Sequence, residues 1–534
     1  MAQLQFKGKA FVQNHHLQVK YHELMPVKGK SLTDKVSLQD NLIIHGDNLK
    51  ALKALLPLYA GRINCVYIDP PYNTGNEGWT YNDNVNSPMM QDWLGKVVDR
   101  EDLTRHDKWL CMMMPRLKLI KMLMHQEEGL IFISIDDNEV AHLRMLMDEV
   151  FGEQNWFATL SRRAMHTVRN SSKDFNLNAD FVLVYGTSKA WYGAKKARYI
   201  RLPVDKTGDY PHDDNDGRGR YKLDPISARN YYEPYEHTFK NGIVWSAHAG
   251  SFPRYSEDSL DEMEEAGEIV FNGKEPKAKR YLAEVQEGRP PDAFLAPEDV
   301  GFNSNGTTLL RKILGGGKFS QPKPIALITH FLKLLRDNNA IIMDSFGGSG
   351  STAHAVLRQN AEDGGNRRFI LVECEDYADT ITAERVRRII KGVPKAKDEA
   401  LKKGLGGTFS FFKLGEAVEL ESMLDGKNLP AYEALARYVF YTATGEEFDE
   451  KAVNKKKHVI GESQNYQVYL FYEPDIAKLK NLAFTLEMAK ALPPPKKDKR
   501  RLVFAPTKYL DQDHLDEHRI DFAQLPFEIY ELTR

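Results

Sequence analysis

The chain has 534 residues, of which 42% are hydrophobic and 28% are charged. This composition is typical of a globular protein and excludes a disordered or collagen-like chain. Its 73 basic and 75 acidic residues nearly cancel, so the bulk charge gives no sign of a nucleic-acid partner. The length corresponds to about three or four domains.

The cysteines and the N-terminal stretch exclude further classes. Cys65, Cys111 and Cys374 are far apart and show no paired spacing, so we expect neither a disulfide framework nor a zinc cluster. The histidines show no ligand spacing either, and the sequence predicts no metal site. Neither a signal peptide nor a membrane span is recognisable, and we expect a cytoplasmic protein without membrane contact.

From about Asn41, strands and helices alternate. The hydrophobic periodicity predicts a β/α pattern up to Tyr185, with Asp136 or Asp137 as the N-cap of one helix. The predicted elements are strand 41–45, helix 48–59, strand 63–68, helix 110–124, strand 129–135, a helix that ends at 150, and strand 181–185.

After Gly186 the pattern is lost, and it resumes near Ile325. The resumed elements are helix 325–335, strand 340–344, helix 352–360, strand 368–373 and helix 380–391. The simplest fold is therefore α/β, with one doubly wound sheet interrupted by an inserted α+β domain. The predicted domains are an N-terminal extension 1–40, a first sheet half 41–188, the insertion 189–319, a second sheet half 320–394 and a C-terminal domain 395–534.

The first chemically distinctive stretch is Asp69-Pro70-Pro71-Tyr72, directly after an apolar strand. Ligands of open α/β sheets bind beyond the carboxyl ends of the strands, where this loop lies. The prolines lack N–H donors, so the Asp69 carboxylate and the Pro70 carbonyl form a pair of acceptors suited to an amino group. Tyr72 offers a flat face for stacking a base. A rigid turn with Asp69 as a mere cap is the alternative.

The second stretch runs from Asp344 to Thr352 and again joins a strand to a helix. Its sequence, DSFGGSGST, allows close approach of a ligand to the backbone, although it matches neither a P-loop nor a dinucleotide motif. Glu373 ends the next strand, where an acidic residue can bind ribose hydroxyls. The glycine-rich stretch and Glu373 together favour a binding site for a nucleoside-containing cofactor over a turn without a ligand.

Together the two loops resemble the amino-group DNA methyltransferases, which use S-adenosylmethionine and carry D-P-P-Y and F-x-G-x-G motifs. The catalytic motif comes first here, with an insertion between the two, which resembles the circularly permuted β class. The likeness covers roughly residues 41–392. It includes GDNL at 46–49, DPPYNTGN at 69–76, MPRL at 114–117, ISIDDNE at 133–139, FGE at 151–153 and QPKP at 321–324.

Within the insertion, RGRY at 218–221, Trp245 and KRYL at 279–282 resemble the modification subunits of Type III restriction-modification systems. Ser351 stands where those enzymes often carry Thr. The resemblance implies a Rossmann-like methyltransferase sheet, a target-recognition insertion and a C-terminal appendage for dimer, partner or DNA contacts. It also implies double-stranded DNA as substrate, a homodimer, and a possible separate helicase and nuclease subunit for restriction.

Carried onto this sequence, the family's motifs give a catalytic and a cofactor-binding set. The expected catalytic residues are Asp69, Pro70, Pro71 and Tyr72. The residues expected to bind S-adenosylmethionine are Asp47, Asp69, Lys323, Asp344, Phe346, Gly348, Gly350, Thr352 and Glu373. Asp at the first motif position favours adenine N6 over cytosine N4. Cytosine-N4 or RNA methylation, or a DNA-binding specificity subunit of a defence complex, are the alternatives.

A basic stretch lies at the entrance to the insertion. Between residues 162 and 206, ten lysines and arginines face only three aspartates. Such residues can neutralise phosphates, although a solvated, sign-biased surface has the same composition. The expected DNA-binding residues are Arg162, Arg163, Arg169, Lys195, Lys196 and Arg198.

Overall fold

The computed structural model describes residues 4–74, 104–166, 175–195, 198–203, 207–273, 275–284, 288–316, 319–417, 429–494, 496 and 498–525. Within these residues the chain forms two compact units. The larger unit joins Met1–Tyr192 to Asp292–Arg534, and the smaller unit is Gly193–Pro291. No helix among the described residues has the length and apolarity needed to cross a bilayer.

The strands are numbered along the chain. They are β1 His22–Pro26, β2 Leu42–His45, β3 Cys65–Ile68, β4 Leu130–Ile135, β5 Trp156–Arg163, β6 Ala179–Gly186, β7 Tyr221–Pro225, β8 Ser227–Ala228, β9 Glu236–Thr238, β10 Val244–Ser246, β11 Phe252–Pro253, β12 Ile269–Asn272, β13 Glu275–Tyr281, β14 Phe294–Leu295, β15 Ile341–Asp344, β16 Arg368–Glu373, β17 Ser410–Ala417, β18 Val459–Glu462, β19 Tyr466–Leu470, β20 Arg500–Ala505 and β21 Ile520–Gln524.

The helices are numbered in the same way. They are α1 Lys9–Val12, α2 His15–Gln18, α3 Asn48–Tyr59, α4 Arg105–Leu123, α5 Val140–Phe151, α6 Lys189–Gly193, α7 Glu257–Glu265, α8 Pro297–Val300, α9 Asn303–Leu314, α10 Ile325–Leu332, α11 Ser351–Asp363, α12 Glu384–Lys391, α13 Glu399–Lys403, α14 Tyr432–Thr444, α15 Ile476–Lys480, α16 Leu486–Ala491 and α17 Gln512–Glu517. A π-helical turn, Ala378–Ala383, leads into α12.

A ten-stranded mixed sheet organises the larger unit, with the order β1-β17-β2-β16-β15-β3-β4-β6-β5-β14. The six strands from β17 to β4 are parallel to one another. Strands β3, β4 and β15 are buried along their whole length, as expected for parallel strands covered on both faces. Their carboxyl ends therefore meet at one edge of the sheet.

The sheet extends beyond the predicted domain limits. β1 belongs to the predicted N-terminal extension and β17 to the predicted C-terminal domain, yet β17 pairs with both β1 and β2. Phe411 and Phe412 of β17 are buried in this sheet, and that apolar burial explains why the strand does not form part of a separate domain. Part of the predicted C-terminal domain 395–534 therefore lies in the main sheet.

The rest of the C-terminal part also belongs to the larger unit. Strands β18 to β21 form a four-stranded sheet in sequence order. Leu435 and Phe440 of α14 belong to the same buried cluster as Leu52 and Leu55 of α3. Part of the region after β17 thus shares the core of the main sheet, while Tyr469, Phe484 and Val503 belong to a second buried cluster within that region.

The smaller unit is an α+β module with its own core. Its largest sheet has the order β12-β13-β7 and is antiparallel. Phe239, Trp245 and Leu260 are central to its buried cluster. This unit lies inside the predicted insertion 189–319 but is narrower, because β14, α8 and α9 belong to the larger unit.

One predicted helix cap is wrong. Helix α5 begins at Val140, with Glu139 and not Asp136 or Asp137 at the N-cap position. Asp136 instead accepts a hydrogen bond from the backbone N–H of Asn138 at 3.0 Å. This local turn uses the aspartate before the helix starts.

Candidate active site

The predicted loops emerge at the same edge of the sheet. We call Asp69–Asn73, after β3, the catalytic loop, and Asp344–Ser351, after β15, the glycine loop. β15 lies between β3 and β16, so the glycine loop has the catalytic loop on one side and Glu373 on the other. Two loops that are 275 residues apart in sequence thus form one site.

In the catalytic loop, one carboxylate oxygen of Asp69 is held by a hydrogen bond. Its Oδ2 accepts a hydrogen bond from Lys323 Nζ at 2.7 Å, and the Lys323 side chain is only 8% exposed. Oδ1 of Asp69 is buried and has no hydrogen-bond partner among the described residues. The carboxylate is therefore oriented by a buried cation and keeps one acceptor oxygen for a further donor.

The aromatic member of the loop lies beside the same cation. Lys323 Nζ is 4.7 Å from the centroid of the Tyr72 ring. Burial and the nearby Asp69 carboxylate raise the pKa of Tyr72 well above its ordinary value, so its hydroxyl stays protonated. Trp109 Nε1 donates to the carbonyl of Pro71 at 2.7 Å and fixes the middle of the loop.

Asn73, the last residue of the catalytic loop, had no predicted role. Asn73 adopts the left-handed region at φ 60° and is fully buried. Its Nδ2 donates to Glu139, a fully buried carboxylate that also contacts His106 and His142. Glu139 is the last residue of the ISIDDNE stretch, but nothing in that stretch alone indicates this contact.

A buried hydrogen-bond network shapes the glycine loop. Asp344 accepts the backbone N–H of Phe346 at 3.0 Å through Oδ1 and the Thr352 hydroxyl at 2.5 Å through Oδ2. Burial raises the pKa of Asp344 to about 7. Thr352 is fully buried and holds the loop from behind, which argues against its expected contact with the cofactor.

Two glycines are required by the geometry of this loop. Gly348 and Gly350 have φ of +50° and +76°, in the left-handed region. A Cβ at Gly348 would lie 3.3 Å from the Phe319 ring, and one at Gly350 would lie 3.2 Å from the Thr382 carbonyl oxygen. A side chain at either position would be strained and would crowd Phe319 or Thr382, so the turn requires glycine at both.

Glu373 contacts the loop directly. Its Oε2 accepts the Gly348 N–H at 2.6 Å, and its Oε1 accepts the Glu375 N–H at 3.0 Å. Burial raises the pKa of this carboxyl group, while the two N–H donors lower it. The carboxylate expected on a ribose is thus bonded to the glycine loop in this structure.

Arg385 contacts the buried side of the glycine loop. The sequence motifs predicted no role for this residue. The guanidinium is fully buried, and its Nη1 donates to Ser349 Oγ and Ser351 Oγ, each at 2.9 Å. Burial lowers its pKa to about 9. The sequence does contain one signal of this role, because Arg385 falls on the apolar side of an amphipathic helix.

Asp47 lies at the end of β2, on the same edge of the sheet. It is the N-cap of α3 and accepts the Lys50 N–H at 3.0 Å. Arg116 Nη2 is 3.6 Å from its Oδ2. Asp47, which we expect to contact the cofactor adenine, is therefore oriented by a backbone N–H of α3 and by the buried Arg116.

The residues predicted to bind DNA have different surroundings, and their role stays a prediction. The Arg162 side chain is 1% exposed and pairs with Asp180 at 3.1 Å, which argues against its expected contact with a phosphate. Arg163 and Lys195 are exposed, and Arg198 is half-buried. Arg169 and Lys196 lie outside the described residues.

Comparison with known proteins agrees with this geometry. Residues 63–384 match a family described as DNA methylase. The chain is 29% identical to the Type III restriction-modification enzyme StyLTI Mod subunit of Salmonella typhimurium, over 76% of this chain and 65% of that protein. It is 28% identical to the EcoPI Mod subunit of Escherichia phage P1, over 68% of this chain and 64% of that protein.

Among solved structures, the cytosine-N4-specific PvuII DNA methyltransferase aligns at 12% identity with a TM-score of 0.34. That alignment covers 65% of this chain and 86% of the other. The chain spans about two thirds of the length of the two Mod subunits it matches. The family expected from the two loops is confirmed by the match over residues 63–384.

Proposed function

This chain belongs to the DNA methylase family, and we propose that it methylates adenine N6 in double-stranded DNA at a specific site, with S-adenosylmethionine as methyl donor. One observation carries the proposal. Asp69 is held through Oδ2 by Lys323 and keeps Oδ1 as an acceptor, beside the glycine loop that accommodates the cofactor. This arrangement suits an exocyclic amino group next to a methyl donor.

Several residues of the site fit S-adenosylmethionine. Gly348 and Gly350 give the loop the left-handed backbone of a tight turn against which a nucleoside would lie, and Phe346 is a partly buried ring in the same loop. Glu373 and Asp47 are the acidic groups for ribose and adenine contacts. When bound, the sulfonium supplies an electrophilic methyl group, so the residues of the chain act on the nucleophile.

The nucleophile is the difficult partner, because the N6 lone pair of adenine is delocalised into the ring. Asp69 Oδ1 and the Pro70 carbonyl accept hydrogen bonds from the two N6 hydrogens and draw the nitrogen toward tetrahedral geometry. The lone pair then points at the methyl group, and Asp69 stabilises the positive charge that develops on N6. The C–S bond of the methyl donor would break as the new C–N bond forms, and one N6 proton would pass to the Asp69 carboxylate and from there to solvent.

The base must leave the duplex to reach this site. Flipping costs a few kcal/mol, and stacking on Tyr72 offsets part of that cost. Exposed Arg163 and Lys195 are candidates for phosphate contacts. The smaller unit, as an inserted α+β module, is the candidate target-recognition domain of a circularly permuted Rossmann-like sheet.

The relatives suggest the biological setting. Two of them are Mod subunits of Type III restriction-modification enzymes. We therefore place this chain in a restriction-modification or phage-defence system, as a homodimer that works with a separate restriction subunit. Copurification of such a subunit, and the mass of the purified protein in solution, test these two assignments.

The modified base is the decisive measurement. DNA is incubated with the protein and labelled S-adenosylmethionine, and its nucleosides are separated. N6-methyladenine is expected. Detection of N4-methylcytosine, or of label in RNA and not in DNA, would overturn the adenine assignment. DNA binding without methylation would instead indicate a DNA-binding specificity subunit. Single-molecule sequencing of DNA from expressing cells gives the recognition site.

The role of Asp69 has its own test. Asp69→Ala is expected to abolish methyl transfer while calorimetry still detects S-adenosylmethionine binding, because the variant loses the acceptor for N6 and keeps the glycine loop. Asp376→Ala is the matched control, since Asp376 is an exposed aspartate after β16 at the same edge. Near-normal turnover of Asp69→Ala would contradict the mechanism.

A further inference from the structure

Three potential metal ligands converge behind the catalytic loop. His106 lies in the first turn of α4, Glu139 at the N-cap of α5 and His142 in the first turn of α5. One ligand atom from each lies within 4.8 Å of the other two. His106 Nδ1 is 2.6 Å from Glu139 Oε1, and His142 Nδ1 is 3.0 Å from Glu139 Oε2.

The local structure brings these atoms together. Glu139 and His142 are three residues apart at a helix start, so their side chains lie on one face. A Glu-x-x-His spacing of this kind serves metal sites in helical proteins. Zinc binds imidazole nitrogen and carboxylate oxygen in tetrahedral geometry at about 2.0–2.2 Å, so two of its ligands are about 3.4 Å apart. The observed separations of 2.6 and 3.0 Å are shorter, so the imidazoles would move apart by less than about 1 Å to admit an ion.

The charge balance also favours a cation. The Glu139 side chain is 0% exposed, and among the described residues no lysine or arginine forms an ion pair with it. A buried carboxylate requires compensation. Glu139 Oε2 and His142 Nδ1 lie 3.0 Å apart, and both atoms are buried without a hydrogen-bond partner among the described residues. A divalent ion bound here would provide the missing positive charge.

The surroundings resemble a metal site in two further respects. Asn73 donates to Glu139 and so fixes the orientation of the carboxylate. The side chains of His106 and His142 are 33% and 38% exposed, which gives an ion a route from solvent. The site would join α4, α5 and the exit of the catalytic loop.

We propose that His106, Glu139 and His142 bind one divalent transition-metal ion of the zinc class, with solvent completing its coordination. The ion has a structural role: it holds the two helix starts against Asn73. It takes no part in methyl transfer. The proposal is independent of the proposed function, because it is tested by metal binding alone.

The test uses full-length protein that has been treated with a chelator and dialysed. Co²⁺ is titrated and its visible absorption recorded, and then Zn²⁺ is added to displace it. We expect saturation at about one equivalent, displacement by Zn²⁺, and a higher melting temperature with Zn²⁺ present. The variants His106→Ala and His142→Ala should bind at least tenfold more weakly.

A second cluster provides the matched control. His237, Asp261 and Glu264 form the other such group among the described residues, and they lie in the smaller unit. His237→Ala should leave the Co²⁺ spectrum of the proposed site unchanged. Because an alanine variant could misfold, His142→Gln is compared as well, with circular dichroism of every variant. Absence of Co²⁺ absorption, or binding by His142→Ala equal to that of the unmodified protein, would show a hydrogen-bonded cluster and overturn the proposal.

Discussion

At the scale of single residues, the ion pair between Lys323 and Asp69 is the most informative contact. Lys323 lies in the loop before α10, 254 residues beyond Asp69, and its ammonium group contacts both the carboxylate and the Tyr72 ring. A buried cation in this position leaves one aspartate oxygen to do the chemistry. We therefore propose that Lys323 is a positioning residue for Asp69, and its expected cofactor contact stays a prediction.

This role predicts a specific kinetic effect. Lys323→Met keeps the aliphatic stem and removes the charge, so Asp69 loses its orientation. We expect the single-turnover rate of methyl transfer to fall roughly 10- to 100-fold, since a charged hydrogen bond contributes about 1.5–3 kcal/mol. The rate is measured with saturating DNA and S-adenosylmethionine.

The controls separate positioning from cofactor binding. Lys323→Arg keeps the charge and should recover part of the rate. Calorimetry with S-adenosylmethionine should give similar affinities for Lys323→Met and the unmodified protein. A large loss of cofactor affinity together with a normal single-turnover rate would instead assign Lys323 to the cofactor.

At the scale of elements, the turn from β15 to α11 depends on backbone conformation. Gly348→Ala and Gly350→Ala would place a Cβ in a left-handed residue and against Phe319 or Thr382. The strain of about 1–2 kcal/mol per residue distorts the loop. We expect S-adenosylmethionine to bind at least tenfold more weakly, as measured by calorimetry.

Gly364 is the matched control for this prediction. It ends α11 with φ +71°, and a Cβ there would meet nothing within 4 Å. Gly364→Ala therefore carries the same backbone strain away from the site. If it weakens cofactor binding as much as the loop variants do, the effect is one of general stability.

Asp344 predicts a pH dependence of stability. Its pKa is raised from 3.8 to about 7 by burial, so between these values the unfolded chain is ionised while the folded protein keeps the proton. The free energy of unfolding should therefore fall as pH rises from about 4 to about 7, by up to about 1.4 kcal/mol per pH unit from this group.

Asp344→Asn removes this titration and keeps a polar side chain for Thr352 and Phe346. Denaturant unfolding of both proteins between pH 4 and pH 8 gives the difference. The variant should show a shallower decline over this range. Equal slopes would mean that Asp344 is ionised in the folded protein.

At the scale of the whole molecule, the C-terminal part and the smaller unit differ in their dependence on the main core. Leu435 and Phe440 share the core of the larger unit, whereas the smaller unit has a separate buried cluster. A chain that ends at Ala417 should lose its cooperative unfolding and aggregate, because the apolar surface of α3 that faces α14 becomes exposed.

The comparison variant replaces residues 193–291 with a short glycine-serine linker. It should remain monodisperse by size-exclusion chromatography, unfold cooperatively and bind S-adenosylmethionine, while specific DNA methylation is lost. A stable, cooperative chain ending at Ala417 would show that the C-terminal part is an independent appendage, as the sequence suggested.

The local elements were predictable because their signals are local. The helix over 48–59 and the strand over 368–373 have the predicted bounds, since each carries a continuous apolar pattern. β5 and β17 were not predicted as parts of the sheet. Their places in the sheet depend on pairing with other strands, β6 and β14 for β5 and β1 and β2 for β17, so periodicity alone gives no indication of them.

The sequence by itself determined the chemistry: Asp69 to Tyr72 and the glycine loop carry a methyltransferase signature in their residue types. Only the tertiary structure decided how these groups are held. In the folded chain Arg162 is buried and pairs with Asp180, and Lys323 donates to Asp69. Asn73 donates to Glu139, and His106 and His142 lie close to the same carboxylate. The physical reason is that hydrogen bonds and charge pairs depend on distances in space, and folding alone sets those distances for residues far apart along the chain.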